Sequence, residues 1–119
     1  MKDLYKKALE AYTQMLMIHI DTKNQEKDFH ETTGEFYEVL FNAMHTIWEK
    51  HVDLGGSIIS DSLVEQKKMA YDIIKKFRED VESYADKKDI SLWTEDLLWS
   101  LANSLEKIEG TAFGYIKKK

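Results

Sequence analysis

At 119 residues, 43% apolar and 33% charged, the chain has the size and composition of one ordinary soluble globular domain with a single modest core. A net charge of -5 argues against a general nucleic-acid binder, which is normally basic. The absence of cysteine excludes disulfides, thiolate metal sites and cysteine nucleophiles, and no apolar run approaches the roughly 18 residues of a membrane span.

These features lead us to expect a cytoplasmic protein that engages neither membrane nor nucleic acid. The N-terminus mixes charged with apolar residues, unlike a signal peptide. The closing run Lys117, Lys118, Lys119 reads as a solvated helix end. The chain has no proline, which suits a nearly all-helical fold.

The first predicted helix runs from about Asp3 to Thr22. Leu4, Ala8, Ala11, Met15 and His19 form one stripe at i, i+3, i+4 spacing, and Tyr5, Leu9, Tyr12, Leu16 and Ile20 form a second beside it. An apolar face this wide packs on two sides, one toward a bundle core and one toward a neighbouring subunit. Homo-oligomerisation, at least to a dimer, is therefore expected. Lys23 to Lys27 reads as a loop.

Asp28 with Glu31 resembles a capping box, here with an acid in the capping position, and the second helix continues to about Leu54. Phe36, Val39, Leu40, Ala43, Met44, Ile47 and His51 mark its core face, and Gly55-Gly56 stops it. Ser62 and Glu65 are spaced as a further capping box. Leu63, Ala70, Ile73, Ile74, Phe77, Val81 and Tyr84 define a third helix ending near Asp86 to Lys88. Ser91 caps a fourth, in which Thr94, Leu98, Leu101, Leu105, Ile108 and Ala112 keep the period while Gly110 and Gly114 weaken the last turns. Short connections predict an all-α, antiparallel up-down-up-down four-helix bundle, with residues 1–119 as one domain.

All four histidines, His19, His30, His45 and His51, fall in the first half among several carboxylates. His45 and Glu49 are four apart and share a helix face. Imidazole and carboxylate together are the donors from which bundles build iron or manganese sites. At about 100° per residue, His30, His45 and Glu49 fall in one sector bordering the apolar stripe, where a neighbouring subunit can supply further ligands. By itself a His-x-x-x-Glu pair also describes a solvated helix contact. His51 lies on the core stripe and reads as packing. The sequence holds no Glu-x-x-His pair, no His-x-x-x-His pair, no phosphate-binding glycine loop and no nucleophile elbow. Trp48, Trp93, Trp99, Phe77 and Phe113 read as core or interface, with Trp99 marking a contact surface.

Phe29-His30-Glu31, Glu35-Phe36-Tyr37-Glu38, Ile47-Trp48-Glu49-Lys50 and Leu54-Gly55-Gly56, taken in order, resemble the second helix of the Dps-like branch of ferritin-like proteins. Asp89, Thr94-Glu95-Asp96-Leu97-Leu98 and Leu105-Glu106-Lys107 are similar to its last helix. His19 to Lys23 also resembles small phage-encoded ferritin-like proteins. The resemblance implies a ferritin-like bundle with an iron-oxidising site shared between two subunits. His19, His30 and Glu49 match its ligand positions, His19 with a one-residue shift. Gly34 stands where an acid is expected, His45 stands where a second acid is expected, and the connection after Gly56 is shorter than the family's.

Three readings follow. In the first, two subunits bind iron through His19, His30, His45 and Glu49, with Glu35 or Glu38 replacing the acid absent at Gly34. In the second, the bundle is a metal-free structural or protein-interaction module. In the third, the exchange of acid for histidine favours zinc, copper or nickel.

Overall fold

The computed structural model describes residues 2–59 and 61–117; Lys118 and Lys119 of the terminal basic run lie outside them. The described residues form four helices and no strand: α1 (Lys2–Asp21), α2 (Lys27–Asp53), α3 (Leu63–Ala85) and α4 (Leu92–Lys117). The fold class is all-α. Among the described residues no helix is long and apolar enough to cross a membrane.

Local chemistry accounts for several helix ends. Ser62 has extended backbone and its hydroxyl accepts the Glu65 amide at 3.3 Å, satisfying one of the donors that a helix start leaves free. Ser91 accepts the Thr94 amide at 3.2 Å in the same way. The start of α2 differs from expectation. It begins at Lys27 with Glu26 as the capping residue and no side-chain cap, so the Asp28–Glu31 box does not form. The His30 amide bonds the Glu26 carbonyl at 3.0 Å, which places Asp28 inside the first turn, where its charge complements the helix dipole. At the other end Gly55 takes φ +90°, a conformation open to glycine without a Cβ penalty, and α2 stops there. Gly110 and Gly114 leave α4 continuous.

The chain divides into two compact units, Met1–Ser60 and Asp61–Lys119. In the first, α1 and α2 form a hairpin whose contacts run in opposite chain directions. Tyr5 meets Trp48 and His51, Tyr12 meets Tyr37 and Phe41, and His19 meets His30. The Trp48 indole donates to the Tyr5 carbonyl at 2.7 Å, fixing the open end of the hairpin. In the second unit Tyr71 meets Phe113 and Arg78 meets Glu109, so α3 and α4 form a hairpin of the same kind.

Among the described residues of each hairpin, burial follows the strip where its two helices meet. Ala85 and Ala102 are buried, with Val81, where small side chains let α3 and α4 approach. The apolar stripes expected as core are therefore split. In α2, Leu40, Met44, Ile47 and His51 are half-buried, whereas Phe36, Val39 and Ala43 are exposed on the flank. In α3, Ile74 and Val81 face the seam, while Leu63, Ala70, Ile73, Phe77 and Tyr84 do not. Leu4, Leu9 and Ile20 of α1 and Leu101 and Ile108 of α4 are likewise exposed. A helix with one neighbour in its hairpin buries one strip, and an apolar face wider than that strip leaves a remainder.

Candidate functional site

The α1–α2 turn brings two of the nominated residues together. His19 sits in the last turn of α1 and His30 in the first turn of α2. Their rings stack with centroids 4.1 Å apart and planes 8° apart. Nδ1 of His19 lies 2.9 Å from the His30 carbonyl. A carbonyl only accepts, so Nδ1 of His19 carries the proton. The Thr22 hydroxyl has one proton, which it donates to the Ile18 carbonyl at 2.9 Å, with the His19 carbonyl at 3.1 Å as the alternative acceptor. His30 Nδ1 lies 3.2 Å from the same oxygen, within hydrogen-bond distance. Both rings are thus engaged in the turn through Nδ1. Fixing a ring through Nδ1 in this way is how proteins orient metal-binding histidines.

Thr22 and Thr33 are the buried polar residues of this hairpin, and both serve the imidazole pair. Thr33 is 1% exposed and donates to the His30 carbonyl at 2.8 Å. Neither threonine was singled out from the sequence. The available signal is a repeated His-x-x-Thr spacing, His19 to Thr22 and His30 to Thr33.

Gly34 has a packing reason beside this pair. A Cβ built on it would fall 2.9 Å from His19 Cε1 and 3.3 Å from His19 Nδ1. Any side chain there, an aspartate included, would press on the imidazole. The acid of the resembled family therefore cannot be restored at this position without moving His19.

His45 and Glu49 form the other nominated cluster. Their side chains pair at 3.2 Å, Nδ1 to Oε1, and stand 60% and 68% exposed on the flank of α2. Fifteen to nineteen residues separate them from His30, about 22–28 Å along one helix. One chain therefore does not bring the four nominated residues to one point. Among the described residues no three His, Cys, Asp or Glu side chains gather where an ion could be held. The His19 and His30 ring planes are nearly parallel, so their in-plane lone pairs do not converge on one ion. Glu35 and Glu38 are exposed on α2. His51 packs against Tyr5, centroids 4.8 Å apart, and fills the place a Cβ on Gly56 would take.

The second hairpin carries an ion-pair cluster that the sequence did not reveal. Arg78, the single arginine of the chain, bonds Glu109 through Nε and through Nη2 at 3.2 Å, and Glu82 through Nη1 at 2.8 Å. The Arg78 and Glu109 side chains are 17% and 14% exposed. Hydrogen bonding from Arg78 holds Glu109 below the usual carboxylate range; desolvation opposes this, and the charges of Arg78 and Lys75 add to it. The same bonds raise Arg78 further above its ordinary value. This fork clamps α3 to α4, a structural use of the planar guanidinium.

No family model, curated protein or solved structure matches the chain.

Proposed function

We propose that the protein is a Dps-like, ferritin-like bundle that binds ferrous iron, with dioxygen or peroxide as the oxidant, at sites completed by a second copy of the chain. The observation that supports this reading is the state of the two stacked imidazoles. His19 and His30 are held through Nδ1, and no hydrogen bond among the described residues engages either Nε2. Imidazole with carboxylate is a donor set suited to iron. His30 and Glu49 are too far apart along α2 to share an ion within one chain. A partner helix running the other way lays His45 and Glu49 of one copy beside His19 and His30 of the other, whose stacked rings would each face a separate ion. Bound iron would supply the redox chemistry; the chain's part is to hold the ion and to orient the imidazoles. In this reading the four helices form the up-down-up-down bundle, and the minimal unit is a dimer.

An anaerobic Fe(II) titration tests it. Saturable binding should be lost in His19→Ala and in His30→Ala, with helix content unchanged by circular dichroism. Equal binding by the unsubstituted protein and the His30→Ala variant would overturn the assignment.

A second reading, a metal-free interaction module, is favoured by the apolar flanks. Phe36 and Val39 on α2 and Ile73 and Phe77 on α3 are exposed. Apolar patches of this kind mark protein–protein contacts. Stable self-association in chelator with no Fe(II) uptake would select this reading.

A further inference from the structure

A cleft of about 420 Å³ lies at the C-terminal end of α2, within the first hairpin. Its apolar walls are Met44, Trp48, Val52 and Ile58, and its lining also includes Glu49, Asp53 and His45. The cleft is a product of the helix stop. The Gly55 amide bonds the Val52 carbonyl and the Gly56 amide bonds the His51 carbonyl, both at 2.9 Å. With Gly55 at φ +90°, the chain doubles back and returns Ile58 to the flank of α2. The Ser57 hydroxyl donates to the Ile59 carbonyl at 2.7 Å and steadies the returning segment. Trp48 is fixed before any ligand arrives, by its 2.7 Å bond to the Tyr5 carbonyl and by edge contact with the Tyr5 ring. Apolar walls with a few polar groups, in this volume range, are the ordinary make-up of a small-molecule site.

The lining sets the charge of the occupant. It holds two carboxylates, one imidazole that Glu49 already engages, and no lysine or arginine. Acidic residues also outnumber lysines across residues 1–60, so the surrounding field is negative. Trp48 also places an aromatic ring, a group that attracts cations, in the lining.

We propose that this cleft binds an organic cation with an apolar body. The body rests on Met44, Trp48, Val52 and Ile58, and the charge lies against the carboxylates of Glu49 and Asp53. The site needs no metal and stands apart from the iron reading, with which it shares His45 and Glu49 but not Asp53 or Ile58.

The test uses three probes of one shape: phenethylammonium, 2-phenylethanol and phenylacetate. Each is titrated in EDTA against the full chain. The readout is the Trp48 indole N–H resonance, assigned with Trp93→Phe and Trp99→Phe. Phenethylammonium should saturate the shift and bind about 2- to 30-fold tighter than the alcohol, because two exposed carboxylates each contribute a small Coulomb term. Phenylacetate should bind weakest. Asp53→Asn should weaken the cation about 1.5- to 5-fold, leave the alcohol unchanged and spare Fe(II) uptake. Ile58→Ser should weaken the cation and the alcohol alike. The proposal is overturned if phenylacetate matches the cation, if the preference for cation survives Glu49→Gln/Asp53→Asn, or if no probe saturates the Trp48 shift. Failure of iron binding alone leaves this titration unchanged.

Discussion

Replacing Gly34 with alanine sets two effects of opposite sign against each other. In a helix interior the exchange normally stabilises by about 0.5–1 kcal/mol, because glycine loses more backbone freedom on folding. Here the new methyl would fall 2.9 Å from His19 Cε1. The ring cannot simply swing away. Its Nδ1 is bonded to the His30 carbonyl at 2.9 Å, and its face is stacked on His30 at 4.1 Å. Overpacking costs about 1–3 kcal/mol, and losing the hydrogen bond adds about 0.5–1.5 kcal/mol. The net is a destabilisation of about 0.5–4 kcal/mol after the helix gain is subtracted. Urea denaturation reads it as a lower midpoint at unchanged slope. The same substitution in a His19→Ala background meets no obstruction and should stabilise by about 0.5–1 kcal/mol. That reversal of sign identifies the imidazole as the cause. A Gly34→Ala variant more stable than the unsubstituted protein would refute the reasoning.

Three further outcomes are expected. Glu109 is held below its ordinary value of 4.5, so its contribution to stability is present above that value and is lost as pH falls through the lower folded-state value. The stability gap between the protein and Glu109→Gln should therefore narrow on acidification from neutral pH to below 4.5, and a gap that stays constant by denaturant titration would contradict the pairing. Sedimentation at micromolar concentration should show no dominant 14.0 kDa species, whereas a clean monomer would count against self-association. The three terminal lysines should give no tight duplex DNA binding at physiological salt in a gel shift; with about three phosphates neutralised, the log–log salt slope is only about -2.7.

Helix ends with side-chain chemistry were legible in the sequence. Ser62, Ser91 and Gly55 each act where their type and spacing pointed. The start of α2 was misplaced because Glu26 caps it with backbone alone, which leaves no side-chain signature. Periodicity identified the apolar faces but not which strip a neighbour covers, so Leu40 and Phe36 looked alike. At the candidate site the histidines could be nominated one by one. The close approach of Gly34 to His19 could not, because it depends on how two helices meet. The Arg78–Glu109 fork joins residues 31 apart, and nothing local in the sequence announces such a pair.

The shared iron site is tested most directly by mixing two defective proteins. His30→Ala and Glu49→Gln should each fail to oxidise Fe(II) in air, followed by ferric absorbance. Subunit exchange is first established by native mass spectrometry with one isotope-labelled variant. In a dimer of two-fold symmetry, the heterodimer pairs His30 of one chain with Glu49 of the other and so regains one intact site of its two. Random exchange of equal amounts should then restore about a quarter of the sites. The account predicts that partial recovery. A fully exchanged mixture that remains inactive would contradict it.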